Sequence, residues 1–227
     1  MVSKSSSNLE FDVVVVGGGP AGSSLAIGLG RLGLSVGIVE KPTKYNRVFG
    51  EHLPPVACDA LKRLGVWDRI LGQSHVKSYG STGYWAGSTL TEDYVFSPYN
   101  GFGLNICRST FERELRNVAE KVGGRVFQVS EINAEFNNSN WLLRVTDSSS
   151  KRTIKARHLV NATGNKSSFG KQLGLQRTTD DRLLALCRIG SRADESSIPG
   201  VMVETTPNGW WYTLDCPDEK TLSLIHI

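Results

Sequence analysis

Three glycines near the start of the chain could bind a pyrophosphate. Gly17, Gly19 and Gly22 form a G-x-G-x-x-G pattern, and Glu40 follows the last of them by eighteen residues. In such a pattern the first glycine permits a tight turn, the second lets the backbone approach a pyrophosphate, and the third lets a helix pack closely on a strand. A carboxylate at the position of Glu40 accepts hydrogen bonds from an adenosine ribose and disfavours a 2′-phosphate. The pattern therefore predicts a site for FAD or NAD, and does not by itself distinguish them.

The glycines lie between a predicted strand and a predicted helix. The run "FDVVVVGGG" is typical of a strand buried on both faces of a parallel sheet. The segment "PAGSSLAIGLGRLG" predicts a helix whose N-terminus favours phosphate, and "LSVGIVE" predicts a second strand. Ala26 and Gly30 continue a row of small residues from Gly22, so this face of the helix should pack closely on the sheet. We predict a βαβ unit; the alternative is a glycine-rich structural turn.

Composition excludes several classes of function. The 227 residues are 39% hydrophobic and 21% charged, with a net charge of +4 and no basic block, which argues against nucleic-acid binding. No apolar run reaches the length of roughly 18 residues that a membrane span needs. Four cysteines without paired spacing indicate free thiols in a reducing compartment, so we expect a cytoplasmic protein. The four histidines are far apart in sequence, and no metal-ligand spacing is found.

Longer segments resemble a known superfamily. The stretch "DVVVVGGGPAGSSLAIGLGRLGLSVGIVEK" resembles the N-terminus of the aromatic-hydroxylase-like, single-component FAD monooxygenases. The segments "RVFGEHLPP", "NICRSTFERELRNVAEKVG" and "LVNATGNKSS" resemble later motifs of that superfamily in the expected order, with Asn161 in place of the usual Asp. The resemblance covers about residues 10 to 215. It implies that the cofactor is FAD.

The resemblance also implies a chemistry. A nicotinamide cofactor, NADH or NADPH, would reduce FAD, and O₂ would form a flavin hydroperoxide that hydroxylates an aromatic ring. Within the superfamily, "SYGSTGYWAG", "YNGFGLNICRSTFE" and "NGWWYTLD" look most like the tryptophan-halogenase-like flavoproteins that hydroxylate tryptophan side chains during maturation of tryptophylquinone enzymes. The implied substrate is an aromatic small molecule or a protein-bound tryptophan.

Two other activities stay open, a flavin-dependent halogenase and a geranylgeranyl-reductase-like enzyme. Halogenases carry a Trp-x-Trp-x-Ile-Pro motif, whereas this chain has adjacent Trp210 and Trp211 followed by Tyr-Thr-Leu-Asp. Lys77 lies in roughly the region of the halogenase catalytic lysine, but its surroundings do not match, which favours a solvated surface lysine. A truncated, non-catalytic dinucleotide-binding fragment is the alternative from another class.

Candidate site residues follow from the spacing and the resemblance together. Arg47 and Arg108 carry forked donors suited to phosphate or flavin oxygens, although either could be a surface ion-pair partner. Substrate-pocket candidates are Glu51, Trp210 and Trp211, and no catalytic residue or metal ligand is assigned. The cofactor-binding candidates are Gly17, Gly19, Pro20, Ala21, Gly22, Glu40, Lys41, Arg47, Arg108, Val129, Ala162 and Gly164.

The predicted fold is α/β, a Rossmann-type FAD-binding domain interleaved with a β-rich substrate domain and truncated at its C-terminus. We expect FAD-binding parts at 1–75 and 106–180, and substrate-domain strands at 76–105 and 181–221. The end of the chain, "KTLSLIHI", is apolar and has the pattern of a strand, which should leave an unpaired apolar edge. We expect 222–227 to be a non-native tail. The superfamily's later Gly-Asp segment is not found, so the activity should belong to a longer parent and this fragment should be inactive.

Overall fold

The protein is described from a computed structural model. The structure describes residues 9–42, 50–85, 90–95, 101–147, 150–166, 168–180, 182–192, 200–217 and 220–226. The chain forms two compact units, one of Met1–Asn46 with Glu112–Thr178 and the other of Arg47–Phe111 with Thr179–Ile227. Each unit draws on two separate stretches of chain, so the two are interleaved as the predicted fold class requires.

Helices and strands alternate early and give way to strands later. In chain order the described elements are β1 (Leu9–Val16), α1 (Pro20–Arg31), β2 (Val36–Glu40), β3 (Gly50–Leu53), α2 (Pro55–Arg63), α3 (Trp67–Leu71), β4 (Val76–Ser78), β5 (Gly80–Tyr84), β6 (Leu90–Val95), β7 (Gly103–Cys107), α4 (Arg108–Lys121), β8 (Arg125–Gln128), β9 (Glu131–Phe136), β10 (Trp141–Thr146), β11 (Lys151–Asn161), α5 (Ser168–Gln172), β12 (Ala185–Ser191), β13 (Gly200–Thr206), β14 (Gly209–Cys216) and β15 (Lys220–His226). This order confirms a mixed α/β fold.

The first unit is built on a sheet with the order β8-β2-β1-β11-β10-β9. Strand β1 pairs in parallel with β2 on one side and with β11 on the other, and β2 pairs in parallel with β8. Val14, Val15 and Val16 are at most 1% exposed, which confirms the prediction of a strand buried on both faces. Strands β9, β10 and β11 form an antiparallel meander at one edge.

The small-residue row on α1 has a different neighbour from the one that the sequence suggests. Ala26 is fully buried, as expected. A Cβ at Gly30, however, would lie 2.9 Å from Cγ2 and 3.0 Å from the carbonyl oxygen of Val122, the residue that follows α4. Gly30 therefore permits close packing of α1 against the end of α4, and not against the sheet. Long-range packing of this kind has no signal in the local sequence.

Two sheets form the second unit. The larger has the order β12-β15-β14-β13-β5-β6, and the smaller has the order β3-β7-β4. Glu51, expected in a loop, lies in β3, because Gly50–Leu53 pairs antiparallel with Leu104–Cys107 of β7. Helix α2 begins at Pro55, as the Pro-Pro pair predicts.

The apolar end of the chain is a strand, as its pattern predicts, but not at the edge of the described sheet. Strand β15 pairs antiparallel with β12 and with β14, and Leu222 is buried with Val201 and Leu214. The exposed apolar edge is β12, where Leu186 and Ile189 are 52% and 39% exposed. The edge strand is β12 and not β15, because β15 lies between β12 and β14 in the sheet.

Candidate functional site

The turn between β1 and α1 has the geometry that the glycine spacing predicts. Gly17 has a φ of +110°, and a Cβ there would lie 2.4 Å from the carbonyl oxygen of Ala162. At Gly22 a Cβ would lie 1.9 Å from the carbonyl oxygen of Gly17 and 3.1 Å from Cγ1 of Val15. Any side chain at these two positions would collide with backbone, so both glycines are needed for the turn and for the approach of the helix.

Gly19 is different, because a Cβ there would have one neighbour, at 4.0 Å, and would collide with nothing. Its nearest neighbour would be Oε1 of Glu112 at 4.0 Å, and its backbone is extended in a region open to any residue, with a φ of −73°. Helix α1 starts at Pro20 with Gly19 as its N-cap and has no side-chain hydrogen bond at this cap. An uncapped helix N-terminus beside open space is suited to bind an anion such as a pyrophosphate.

The peptide between Gly18 and Gly19 is held in one orientation. The carbonyl oxygen of Gly18 accepts hydrogen bonds from Oγ of Ser23 at 3.0 Å and from Nη1 of Arg116 at 3.0 Å. A trans peptide points its N–H opposite to its carbonyl, and no peptide bond of the described residues is cis. The N–H of Gly19 is therefore directed away from Ser23 and Arg116, and is available to a bound phosphate.

Glu40 lies directly beside this turn. Its Oε2 would be 2.7 Å from a Cβ at Gly18, and it accepts a hydrogen bond from Nε2 of Gln128 at 3.3 Å. Its Oε1 lies 3.4 Å from Nη1 of Arg116. The carboxylate that the sequence places at the end of β2 is thus next to the glycine turn, where a ribose attached to the pyrophosphate would reach it.

Arg116 is the site residue that sequence reasoning missed. It comes from the middle of α4, and its guanidinium also lies 3.9 Å from Oε2 of Glu112. It balances two carboxylates that would otherwise repel each other and an incoming pyrophosphate. The only local signal was a Glu at position 112 and an Arg four residues later, which is a common surface pair on helices.

The chain after β11 passes over the glycine turn. The N–H of Ala162 donates to the carbonyl oxygen of Val16 at 2.8 Å, and Gly164 has a φ of +66°. Oδ1 of Asn161 accepts hydrogen bonds from the N–H of Thr163 at 3.2 Å and from its hydroxyl at 2.7 Å. An Asp oxygen could accept the same two bonds, so Asn161 can replace the usual Asp without changing this turn.

The remaining first-unit candidates are Val129, Lys41, Pro20 and Ala21. Val129 is buried, and its N–H donates to the carbonyl oxygen of Glu40 at 2.8 Å, so the predicted contact with an adenine would fall to its carbonyl oxygen. Lys41 is exposed directly after Glu40. Pro20 and Ala21 open α1, and their cofactor role stays a prediction. Arg47 lies outside the described residues.

In the second unit, two candidates form an ion pair with each other. Arg108, the first residue of α4, binds Oε1 of Glu51 through Nη1, and both side chains are half exposed. Trp210 and Trp211 are neighbours on β14 and therefore point to opposite faces of the sheet, with Trp211 being 36% exposed. Their role as a pocket wall stays a prediction.

Lys77 has a local contact of its own. Its Nζ lies 4.7 Å from the centroid of the Phe102 ring, and Phe102 packs in turn on Trp67 and Tyr79. The side chain is exposed, and a cation over an aromatic face is a common surface contact. This placement agrees with a solvated surface lysine.

Two half-buried histidines, both in the second unit, have lowered pKa values. Burial lowers the pKa of His52, which a hydrogen bond to Asn105 raises to a smaller extent, and burial also lowers the pKa of His75. Nε2 of His75 is buried and has no hydrogen-bond partner among the described residues.

Within the described part, no three His, Cys, Asp or Glu residues group as a metal site would need. None of the helices found there is long and apolar enough to span a membrane.

The fold and the glycine turn together define a dinucleotide-binding protein of the α/β class. The family model described as "FAD binding domain" matches residues 10–221, and the chain belongs to this family. The residues fit FAD, because an uncapped helix N-terminus, an outward N–H and a carboxylate meet at one open place.

The curated relatives that this chain matches are named for different reactions. The chain is 28% identical over 192 residues to a 1H-pyrrole-2-carbonyl-[peptidyl-carrier protein] chlorinase of Pseudomonas fluorescens, covering 75% of this chain and 43% of the relative. It is 25% identical over 206 residues to the putative FAD-dependent oxidoreductase LodB of Marinomonas mediterranea, covering 89% and 56%. It is 28% identical over 193 residues to a rifampicin monooxygenase of Rhodococcus hoagii, covering 81% and 39%.

Solved structures show the same fold. The myxobacterial chondrochloren halogenase CndH matches with a TM-score of 0.81 at 20% identity, over 96% of this chain and 53% of that chain. The chain thus spans about half the length of the proteins it matches.

Gly19→Ala and Gly22→Ala form a matched pair that tests the turn. In Gly22→Ala the methyl group would collide with backbone, so we expect the free energy of unfolding to fall by more than about 2 kcal/mol. Gly19→Ala should fold with little loss, yet weaken FAD by about tenfold or more, because the methyl group occupies the space open to the pyrophosphate. Urea unfolding and FAD titration measure the two effects. Unchanged FAD affinity in a folded Gly19→Ala variant would contradict the assignment.

Arg116→Met tests the residue that the sequence did not reveal. The variant keeps the aliphatic stem but removes the donors to Gly18 and Glu40, so we expect a loss of about 1.5–3 kcal/mol of stability and weaker FAD binding. Arg144→Met is the control, because Arg144 pairs with Glu135 on the surface, where such a pair contributes about 0.2–1 kcal/mol. Equal FAD affinity in the two folded variants would refute a role of Arg116 in the site.

We expect the two histidines to make the free energy of unfolding depend on pH. Because the folded-state pKa values of His52 and His75 lie below the ordinary value of 6.5, the unfolded chain binds more protons in this range. The free energy of unfolding should be highest above pH 6.5 and fall as the pH drops from there through the folded pKa values. Urea unfolding at about pH 7.5 and about pH 5.5 measures the difference. The double variant His52→Gln, His75→Gln should show a smaller drop; an equal drop would assign the effect to other groups.

Proposed function

We propose that the full-length protein is an FAD-dependent monooxygenase that hydroxylates an aromatic ring, with a protein-bound tryptophan as a candidate substrate. The observation that carries the proposal is the meeting of Glu40, Arg116 and the glycine turn in a chain of the FAD-binding family. Likeness to a rifampicin monooxygenase supports oxygen chemistry. Likeness to LodB over 89% of the chain supports an FAD-dependent oxidoreductase.

The residues of the first unit have distinct tasks in this proposal. The N–H of Gly19 and the first turn of α1 bind the pyrophosphate, and Glu40 accepts hydrogen bonds from the ribose hydroxyls. Ser23 and Arg116 keep the Gly18 carbonyl turned inward. FAD, once bound and reduced by NADH or NADPH, supplies the redox and oxygen chemistry.

A halogenase is the second candidate, because one relative is a chlorinase. Two observations favour hydroxylation over halogenation. Trp210 and Trp211 are adjacent where a halogenase has Trp-x-Trp-x-Ile-Pro. Lys77, in roughly the region of the halogenase lysine, lies over Phe102 as an exposed side chain. The geranylgeranyl-reductase-like activity remains the third candidate and differs from both in not consuming O₂.

The chain described here spans about half of its relatives, so we assign the proposed activity to the full-length protein. The resemblance implies that the complete FAD site includes a later Gly-Asp segment, which is not among these 227 residues. We therefore propose that the 227-residue chain contributes the ADP half of the site and is inactive by itself.

Assays of the full-length protein with FAD, NADH or NADPH, and labelled O₂ test the proposal. We expect one labelled oxygen atom in an aromatic product, formed without halide. The control adds chloride or bromide to the same reaction. A product that forms only with halide would establish the halogenase instead, and turnover of an unsaturated lipid without O₂ would establish the reductase.

A further inference from the structure

The carboxyl ends of β1, β2 and β8 lie side by side in the first unit. Strand β2 lies between β1 and β8, and both pairs are parallel. Neighbouring strands lie about 4.8 Å apart, and ligands of open α/β sheets bind outside the carboxyl ends of the strands. The glycine turn follows β1, and Glu40 ends β2. A dinucleotide that passes from a pyrophosphate at β1 to a ribose at β2 should therefore bring its base to the end of β8.

Gln128 is the last residue of β8 and lies beside Glu40. The two residues are partners in the register of β2 and β8, and Nε2 of Gln128 donates to Oε2 of Glu40 at 3.3 Å. An ionised carboxylate can only accept, so the amino end of the Gln128 amide must face Glu40. Its Oε1 is therefore turned away from the carboxylate.

Oε1 of Gln128 is accessible and can accept a hydrogen bond. The side chain is exposed, whereas its neighbours Phe127 and Val129 are buried in the core. Among the described residues, the bond to Glu40 is the one hydrogen bond that the Gln128 side chain makes. An exposed amide oxygen of this kind is hydrated in the free protein, and a ligand with an N–H group can take the place of the water.

An acceptor at the end of β8 matches the donor that adenine carries. Adenine has an exocyclic amino group that donates, whereas its ring nitrogens N3 and N7 accept. The ribose hydroxyls are assigned to Glu40, so the amino group is the remaining donor of an adenosine. It has two hydrogens, and one can therefore bind Gln128 even if the other binds the carbonyl oxygen of Val129.

We propose that Gln128 determines the base specificity of the dinucleotide site. Its Oε1 accepts a hydrogen bond from the amino group of adenine, while its Nε2 stays bonded to Glu40. The site prefers adenine to a base that lacks this amino group, because such a base offers Oε1 no donor in exchange for the water that it displaces. This inference rests on the assignment of the site to FAD, and is independent of the proposed oxygen chemistry.

ADP and purine riboside 5′-diphosphate test the proposal, because the second ligand lacks only the amino group. Both are titrated into the 227-residue chain and into its Gln128→Met variant. Methionine keeps the length of the side chain and removes the acceptor at an exposed position, so the variant should fold. The preference of the wild type for ADP should exceed that of Gln128→Met by about three- to tenfold, the range expected for one neutral hydrogen bond.

Gln172→Met is the control, because Gln172 is an exposed residue of α5 in the same unit. It should keep the wild-type preference for ADP. If Gln128→Met weakens both ligands by the same factor, Gln128 only orients Glu40 and the proposal is wrong. An unchanged affinity for both ligands would also overturn it, but would leave the assignment of the site to FAD intact.

Carbon NMR of the chain with ¹³C-labelled glutamine tests the acceptor in the wild-type protein. A hydrogen bond to Oε1 moves the ¹³Cδ signal of Gln128 downfield, and the signal is assigned by its loss in Gln128→Met. We expect this shift with ADP and not with purine riboside 5′-diphosphate. Equal shifts, or no binding of either ligand at millimolar concentration, would refute the proposal. These measurements need neither O₂ nor turnover, so their failure is distinct from a failure of the oxygen-incorporation assay.

Discussion

The guanidinium of Arg116 is the interaction on which the proposed dinucleotide site of the first unit depends. It lies 3.0 Å from the Gly18 carbonyl, 3.4 Å from Glu40 and 3.9 Å from Glu112. A pyrophosphate brings negative charge to a place that already has two carboxylates, and like charges at short range disfavour one another's ionised forms. One partly buried cation makes this arrangement compatible with an anionic ligand. The same cation sets the orientation of the peptide whose N–H would face the ligand.

How much of this site the sequence predicts depends on how local each contact is. The turn glycines act on their own backbone and on adjacent elements, so their spacing reveals them, and the position of Glu40 follows from the length of a βαβ unit. Arg116 acts across 98 residues on Gly18 and across 76 on Glu40. No local pattern encodes those distances. The same reason explains Gly30, whose small size serves Val122 and not the sheet.

Long-range contacts limit what the sequence predicts even more strongly in the second unit. Its strands were predictable from β-branched and aromatic runs, because such runs form pleated surfaces in many contexts. The polar network was not predictable, since Asn105 joins backbone carbonyls 95 and 110 residues away and is an unremarkable polar residue in the sequence. The strand β3 was also missed, because its four residues are stabilised by pairing with β7 and have little strand signal of their own.

Backbone groups and side chains have different parts in the proposed chemistry. The first unit would bind its cofactor mainly through backbone, with glycines, an N–H and a helix terminus, which many sequences can provide. The likeness of this chain to both a chlorinase and a monooxygenase is compatible with such a site. We expect the choice among reactions to depend on side chains that a shared backbone does not fix, such as the Glu51–Arg108 pair. A family match thus informs on the cofactor more directly than on the substrate, because a site built from backbone groups does not depend on particular side chains.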